Sequence, residues 1–242
     1  MSIHSLIYPD ANEASQACAV RVVQLLQQAV AAGPTSALAI SGGTTPKLLF
    51  RELAKMRLEW DRVHLFWVDE RCVPPTDPQS NYKLAKENFI DPVGFPSRNV
   101  HRVRAELEPE IAARSYADEI REFFGLGPNE LPHFDVIHRG MGPDAHTASL
   151  FPGEPLINDL ENLTAAVYVE KFRQWRVTLL PGVLLAARNT VMLVAGEDKA
   201  EPLRAVLHEP YDPLSYPAQI ATYQGSNRVM WFLDEAAARL IR

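Results

Sequence analysis

A glycine-rich segment holds the two residues best suited to acid–base chemistry. The segment GMGPDAHT (140–147) places Asp144 two positions before His146. An imidazole, whose ordinary pKa is about 6.5, can take a proton from water near neutral pH, and a neighbouring carboxylate can orient it. The alternative is a histidine that only bonds a backbone carbonyl. The glycines, the adjacent carboxylate and the position after a strand favour His146 as a general base.

The same segment matches the dinucleotide-binding pattern G-x-G-x-x-[G/A] after a strand. That pattern should open a full helix, whereas Pro152-Gly153 interrupts the chain a few residues later. It also usually lies in the first βα turn, which carries a different loop here. We therefore interpret 140–147 as a short turn that presents Asp144 and His146 to a cleft.

A second glycine loop, SGGTTP (41–46), follows an apolar strand and precedes a helical pattern. Its two glycines allow a sharp turn and a close backbone approach to a ligand. A helix N-terminus offers unpaired N–H groups and a favourable dipole to phosphate. An ordinary glycine turn before a capped helix is the alternative. The candidate binding residues are Ser41, Gly42, Gly43 and Thr44, and Thr44 can also cap the helix.

Two charged segments supply candidate partners for an anion. DER (69–71) ends an apolar strand, and Arg71 suits a two-pronged contact to phosphate, while Asp69 could orient a sugar hydroxyl. Lys171, Arg173 and Arg176 form a basic cluster in an otherwise acidic chain. For both segments the alternative is a solvated charged loop.

His138 and Arg139 end another apolar strand, FDVIHRG (134–140). Successive side chains of a strand point to opposite faces of its sheet. We therefore expect one of the two to reach the cleft while the other pairs elsewhere.

The elements that must position these loops alternate between helix and strand along the chain. Helical spacing predicts helices at about 11–32, from the SGGTTP loop to 56, 81–90, 108–124, 182–187, 197–208 and after Asp234. Apolar, β-prone runs predict strands at 36–41, 63–69, 134–140, 164–170, 176–180, 190–196 and 228–234.

This alternation predicts an α/β fold with a mainly parallel sheet and helices on both faces, as one domain over residues 1–242. In such sheets ligands bind at the carboxyl ends of the strands. The SGG, DER and GMGPDAHT segments all follow strands, so we expect them to meet there.

Composition narrows the classes of function. A net charge of -6 disfavours a general nucleic-acid binder, and no apolar stretch is long enough to span a membrane. The N-terminus has no secretory signal pattern, and Cys18 and Cys72 form no CxxC pair. We expect a cytoplasmic protein with reduced thiols and a small-molecule ligand. The sequence leaves its oligomeric state open.

Taken together, the segments resemble the 6-phosphogluconolactonases, which share a fold with glucosamine-6-phosphate deaminases. The similar segments are SGGTTPKLLFREL, FWVDERCVPPTDPQSNY, GMGPDAHTASLFPG, KFRQWRVTLLPGVLLAAR and VAGEDKAEPL, and they cover about residues 36 to 205. GMGPDAHTASLFPG is the specific one, because it is similar to the family's GMGxDGHTASLFPG signature.

The resemblance implies a Rossmann-like domain that hydrolyses 6-phosphogluconolactone to 6-phosphogluconate in the pentose phosphate pathway, with no cofactor and no metal. It assigns the role of general base to His146. Arg71 and Lys171 would hold the phosphate, the SGG loop would surround the sugar phosphate, and Asp69 would lie near the sugar. Ala145 stands where the family usually has glycine, and His138-Arg139 where it has apolar residues.

Two other functions compete with lactone hydrolysis. One is deamination or isomerisation of an amino-sugar phosphate with Asp69 as the base, although HTASLFPG differs from the deaminase-like HIAFNEP pattern. The other is a sugar-phosphate sensor without turnover. Such sensors usually carry a DNA-binding domain, for which there is no room before residue 36.

Overall fold

A mainly parallel sheet runs through the computed structural model, which describes residues 4–222 and 228–241. The described residues form ten strands: β1 His4–Tyr8, β2 Ser36–Ile40, β3 Val63–Trp67, β4 Asp69–Arg71, β5 Val100–His101, β6 Val136–Arg139, β7 Thr164–Val169, β8 Gln174–Leu179, β9 Asn189–Val194 and β10 Arg228–Asp234. Seven of them form the central sheet in the order β1-β10-β9-β6-β2-β3-β5, and every neighbouring pair in it is parallel.

Helices connect these strands. The α-helices are α1 Ala11–Ala32, α2 Thr44–Leu53, α3 Asn81–Ala85, α4 Asp91–Val93, α5 Pro109–Phe124, α6 Pro181–Ala186 and α7 Ala200–His208. A π-helical segment, Lys86–Ile90, joins α3 to α4, and 3₁₀ turns lie at Trp60–Arg62, Ser97–Asn99, Pro155–Asn158, Glu170–Phe172, Glu197–Lys199, Pro217–Ala221 and Ala237–Leu240. No helix in the described ranges is long and apolar enough to cross a membrane.

Helix α1 shows how local sequence and packing agree. Its N-terminus is capped by the carboxylate of Asp10, which accepts from the backbone N–H groups of Asn12 and Glu13. Its apolar face, at helical spacing, is buried against the sheet. At its C-terminus, Arg62 donates to the carbonyls of Val30 and Gly33, at 2.7 and 2.8 Å. Carbonyls that the helix leaves unpaired are thereby satisfied.

A second, antiparallel sheet has the order β4-β8-β7. It packs against α5, and Tyr116 of that helix joins the two sheets. The Tyr116 hydroxyl accepts from the backbone N–H of Trp67 and donates to its carbonyl, both at 2.8 Å. The residues just after β3 are thus fixed where the chain passes from one sheet to the other.

The predicted α/β class with a mainly parallel sheet is confirmed, and seven strands lie close to their predicted ranges. DER, predicted to end the strand at 63–69, instead forms a separate strand, β4, so the alternative of a solvated charged loop was wrong. The short strands β1 and β5 were not predicted. The helix predicted at 81–90 is divided between α3 and a π-helical segment. Between Asp234 and residue 241, where the description ends, a 3₁₀ turn takes the place of the predicted helix.

The chain order creates a crevice between β2 and β6. From β2 the chain proceeds outward to β3 and β5, and it then returns to the other side of β2 as β6. Ligands of open α/β sheets bind at such a switch point, beyond the carboxyl ends of the strands. The four adjacent strands β9, β6, β2 and β3 all end at this edge.

Candidate active site

A cavity of about 190 Å³ opens at this edge of the sheet. The loops after β2 and β6, the end of β9 with the turn that follows it, and the strands β4 and β8 contribute to its wall. The lining residues are Ser41, Gly42, Gly43, Thr44, Thr45, Pro46, Asp69, Arg71, Gly140, Met141, Gly142, His146, Ala148, Arg176, Leu193, Val194, Ala195 and Lys199. The structure thus brings together eight of the ten predicted site residues, and Asp144 and Lys171 lie next to this wall.

The SGG loop presents a helix N-terminus to the cavity. Gly43, with φ 126°, is the N-cap of α2, and no side chain caps the helix, so the expected capping by Thr44 was wrong. The first N–H groups of α2 therefore remain available to an anion. Gly42 is required by packing, since a Cβ there would lie 1.8 Å from Oδ1 of Asn81. The buried hydroxyl of Ser41 has no partner among the described residues.

In strand β4 the side chain of Glu70 lies on a different face from those of Asp69 and Arg71. Glu70 is buried and accepts from the backbone N–H groups of Arg71, Asn81 and Tyr82, so it fixes the chain after the strand. Burial raises the pKa of Glu70 despite these hydrogen bonds. The first and third residues of this segment, Asp69 and Arg71, line the cavity.

Asp69 is held by two partners from distant parts of the chain. Its Oδ2 accepts from the hydroxyl of Ser149 at 2.7 Å, and it lies 4.0 Å from Nη1 of Arg176. Arg71 donates from Nη1 to the carbonyl of Gln79 at 2.6 Å. The Nε atoms of Arg71 and Arg176 have no partner among the described residues, so both guanidinium groups retain donors for an anion.

The GMGPDAHT segment forms a tight turn that aims His146 at the cavity. Gly142 donates its N–H to the carbonyl of His146 at 2.9 Å, and a Cβ on Gly142 would lie 2.0 Å from the imidazole ring. Ala145 takes the left-handed conformation, with φ 63°. The turn opens no α-helix: the next helical residues are those of the 3₁₀ turn Pro155–Asn158, which agrees with rejection of the dinucleotide pattern.

His146 is fixed on one edge and on one face. Its Nδ1 lies 2.5 Å from Oδ1 of Asp144, and the ring stacks on Phe151 with centroids 4.1 Å apart. Oδ2 of Asp144 accepts from Nζ of Lys171 at 2.9 Å. Burial raises the pKa of Asp144, but the hydrogen bonds from His146 and Lys171 outweigh it and hold that pKa well below its usual range. The carboxylate therefore stays ionised and holds the imidazole by its Nδ1.

His138 and Arg139 do not reach the cavity, so the expectation that one of them would was wrong. Both side chains are fully buried, and their ring and guanidinium nitrogens have no partner among the described residues. Burial lowers the pKa of His138 to about 3 and that of Arg139 to about 10. The β6 strand is covered on both faces, which leaves a polar side chain no route to solvent.

Sequence reasoning missed three residues of the site. Lys199 follows β9 and contributes a cation to the cavity wall. Its position after an apolar strand is the sequence feature that could have predicted Lys199 as a site residue. The strand order was needed, however, to place β9 beside β6. Ser149 and Phe151 lie within the HTASLFPG signature, where only the fold shows their contacts to Asp69 and His146.

No group of three or more His, Cys, Asp or Glu residues within 4–222 and 228–241 is placed to hold a metal ion.

The sequence family described as glucosamine-6-phosphate isomerases/6-phosphogluconolactonase matches residues 9–231. The chain belongs to this family. It is 36% identical to a 6-phosphogluconolactonase of Synechocystis sp. over 224 residues, which cover 92% of each chain. It is 35% identical to a human 6-phosphogluconolactonase over 238 residues, 94% of this chain and 91% of the relative.

Solved structures of the family share the architecture. A 6-phosphogluconolactonase from Thermotoga maritima superposes with a TM-score of 0.82 at 26% identity, over 96% of this chain and all of the other. A monomeric glucosamine-6-phosphate deaminase also superposes with a TM-score of 0.82, but at 18% identity this likeness concerns the fold alone. A shared fold does not by itself determine the reaction, so the activity must be argued from the contents of the cavity.

Proposed function

We propose that the chain hydrolyses 6-phospho-D-glucono-1,5-lactone to 6-phosphogluconate, with His146 as the general base that activates water. The observation that carries this proposal is the Asp144–His146 pair, which stands at the wall of a cavity that also contains a helix N-terminus and three cations. An acid–base group and an anion site within one cavity suit a phosphorylated substrate that reacts with water.

The phosphate would bind at the N-terminus of α2, between the side chains of Arg71 and Lys199. The uncapped N–H groups of this helix and the two cations supply charge-assisted hydrogen bonds to the phosphate oxygens. This anchoring would place the lactone ring across the cavity toward His146. Arg176, whose guanidinium lies beside Asp69, would bind the sugar between these two ends.

The attack follows from the protonation state of the pair. Because Asp144 accepts from Nδ1, the neutral imidazole carries its proton there and presents Nε2 as the base. As the water oxygen bonds to lactone C1, its proton passes to Nε2 and charge develops on the carbonyl oxygen. When the bond from C1 to the ring oxygen breaks, the imidazolium returns the proton to that oxygen. Backbone N–H groups of the glycine loop could stabilise the oxyanion.

The competing reaction is deamination or isomerisation with Asp69 as the base. Asp69 lines the cavity, but its Oδ2 accepts from Ser149 and also faces Arg176. A carboxylate oxygen engaged in this way is less free to take a proton from a sugar carbon. The curated relatives named above are lactonases, which also supports hydrolysis.

The test measures, in a pH-stat, the acid that forms when the lactone is hydrolysed, and the rate of spontaneous hydrolysis is subtracted. We expect His146→Ala to lower kcat/KM by about 10²- to 10⁴-fold, the usual contribution of a general base. His208→Ala is the matched control, because this exposed histidine of α7 lies outside the cavity wall.

The phosphorylated lactone should be strongly preferred over glucono-1,5-lactone. Equal rates for wild type and His146→Ala would refute the assignment of the base. Release of ammonia from glucosamine 6-phosphate would favour the competing reaction.

A further inference from the structure

We infer that Lys171 is a positioning residue that holds the Asp144 carboxylate in place for His146, rather than a ligand of the substrate phosphate. This inference rests on the proposed role of His146. It departs from the role that the sequence resemblance implied for Lys171.

The carboxylate of Asp144 uses its two oxygens for two different partners. Oδ1 bonds Nδ1 of His146 at 2.5 Å, and Oδ2 bonds Nζ of Lys171 at 2.9 Å. With both oxygens occupied, rotation of the carboxyl group breaks both contacts at once. The ammonium thereby restricts the carboxylate to the rotamer in which it also orients the imidazole.

Lys171 lies outside the wall of the 190 Å³ cavity. Together with Asp144 it lines a neighbouring cavity of about 450 Å³. The cations that line the first cavity are Arg71, Arg176 and Lys199. A phosphate there can be neutralised by these three cations without Lys171, although Nζ of Lys199 also bonds the carboxylate of Asp198.

A short turn and its aromatic neighbour surround Lys171. The residue lies in the 3₁₀ turn between β7 and β8, which ends at Arg173 with φ 49°. Its Nζ lies 5.6 Å from the ring centroid of Phe172, and Phe172 packs edge-on against Phe151. Phe151 in turn stacks on His146. One hairpin thus supports the pair from two sides: the carboxylate through Lys171 and the imidazole face through the aromatic rings.

The charge of Lys171 also sets how strongly Asp144 favours a protonated imidazole. An ammonium at hydrogen-bond distance offsets part of the carboxylate charge that His146 experiences. Without it, the full carboxylate charge would stabilise the imidazolium and delay the return of the base to its neutral form. Loss of Lys171 should therefore change the pH dependence of the reaction as well as its rate.

The experiment compares Lys171→Met, Lys171→Arg and Lys199→Met by steady-state kinetics across pH. For Lys171→Met we expect kcat to fall about tenfold, the effect of losing one charge-assisted hydrogen bond, with KM changed less than about twofold. The acidic limb of kcat/KM should move to higher pH. Lys171→Arg should restore most of kcat, and Lys199→Met should instead raise KM for the phosphorylated lactone.

An effect of Lys171→Met on KM rather than on kcat would overturn the inference. If Lys171→Met raises KM about tenfold or more at unchanged kcat, and abolishes the preference for the phosphorylated lactone, then Lys171 binds phosphate. An unchanged rate and pH profile would equally refute a positioning role.

A readout without substrate separates this inference from the proposed function. In ¹H–¹⁵N spectra of the imidazole, Lys171→Met should shift the ring signals of His146, because the Asp144 carboxylate that bonds its Nδ1 loses its other partner, while the exposed Lys55→Met should leave them unchanged. If wild type hydrolyses no lactone, the proposed function fails, yet this spectrum still tests the contact. Unaltered His146 ring signals in Lys171→Met would contradict the inference on their own.

Discussion

Replacement of Arg139 by leucine should stabilise this protein markedly. Arg139 is fully buried in β6, and none of its three guanidinium nitrogens has a partner among the described residues. Its register neighbour on β9 is Met192, which pairs in turn with Trp231 of β10, so the guanidinium shares its sheet face with apolar side chains. A charge in such surroundings loses its hydration without compensation.

The magnitude follows from the effect of burial on the pKa of Arg139, which falls from 12.5 to about 10. A shift of this size corresponds to about 3 kcal/mol, by which folding disfavours the charged form at pH 7. This cost is present below pH 10 and disappears only above the unfolded pKa. Arg139→Leu removes it, so we expect the free energy of unfolding to rise by about 3 kcal/mol and Tm by about 6–12 °C.

Urea denaturation at pH 7 with a thermal melt measures the change, and Arg114→Leu on the exposed face of α5 is the matched control. The control should change stability by less than about 0.5 kcal/mol, as exposed substitutions usually do. A lower or unchanged stability of Arg139→Leu would refute the reasoning, because it would mean that the guanidinium has a compensating partner in solution. Lactonase activity should persist, since Arg139 does not line the cavity.

Three further outcomes are expected. Gly142→Ala should lower kcat by at least about 10²-fold in the lactone assay, because its Cβ would lie 2.0 Å from the His146 ring and displace the base; unchanged kcat would show that the ring can move aside. Ala145→Gly should relieve about 1 kcal/mol of strain in the left-handed backbone conformation of this residue. Two effects oppose this gain: the folded state loses a buried methyl group, and the unfolded state gains conformational entropy. Its Tm should consequently stay within about 3 °C of wild type, and a larger rise would indicate greater strain. Burial lowers the pKa of His138 to about 3, so the unfolded chain takes up a proton that the folded chain refuses as pH falls below about 6.5. Urea denaturation at pH 6.5 and 4.5 should therefore show a smaller loss of stability for His138→Leu than for wild type, and equal losses would contradict this account.

The sequence by itself determined the class of fold and the loops that form the site. Helical and alternating spacing are local properties, set by which face of an element must be buried, so they can be found without knowing what packs there. The SGG and GMGPDAHT loops were found in the same way, because glycines, a candidate base and the ends of apolar strands are visible in one stretch of chain.

Only the tertiary structure decided which side chains act on one another. Asp69 and Ser149 are 80 positions apart, and Lys171 and Asp144 are 27 apart, so their contacts depend on strand order and on the path of the β7–β8 hairpin. Lys199 joins the cavity because β9 lies beside β6. Strand pairing is set by the summed packing of the whole sheet, which no single segment encodes.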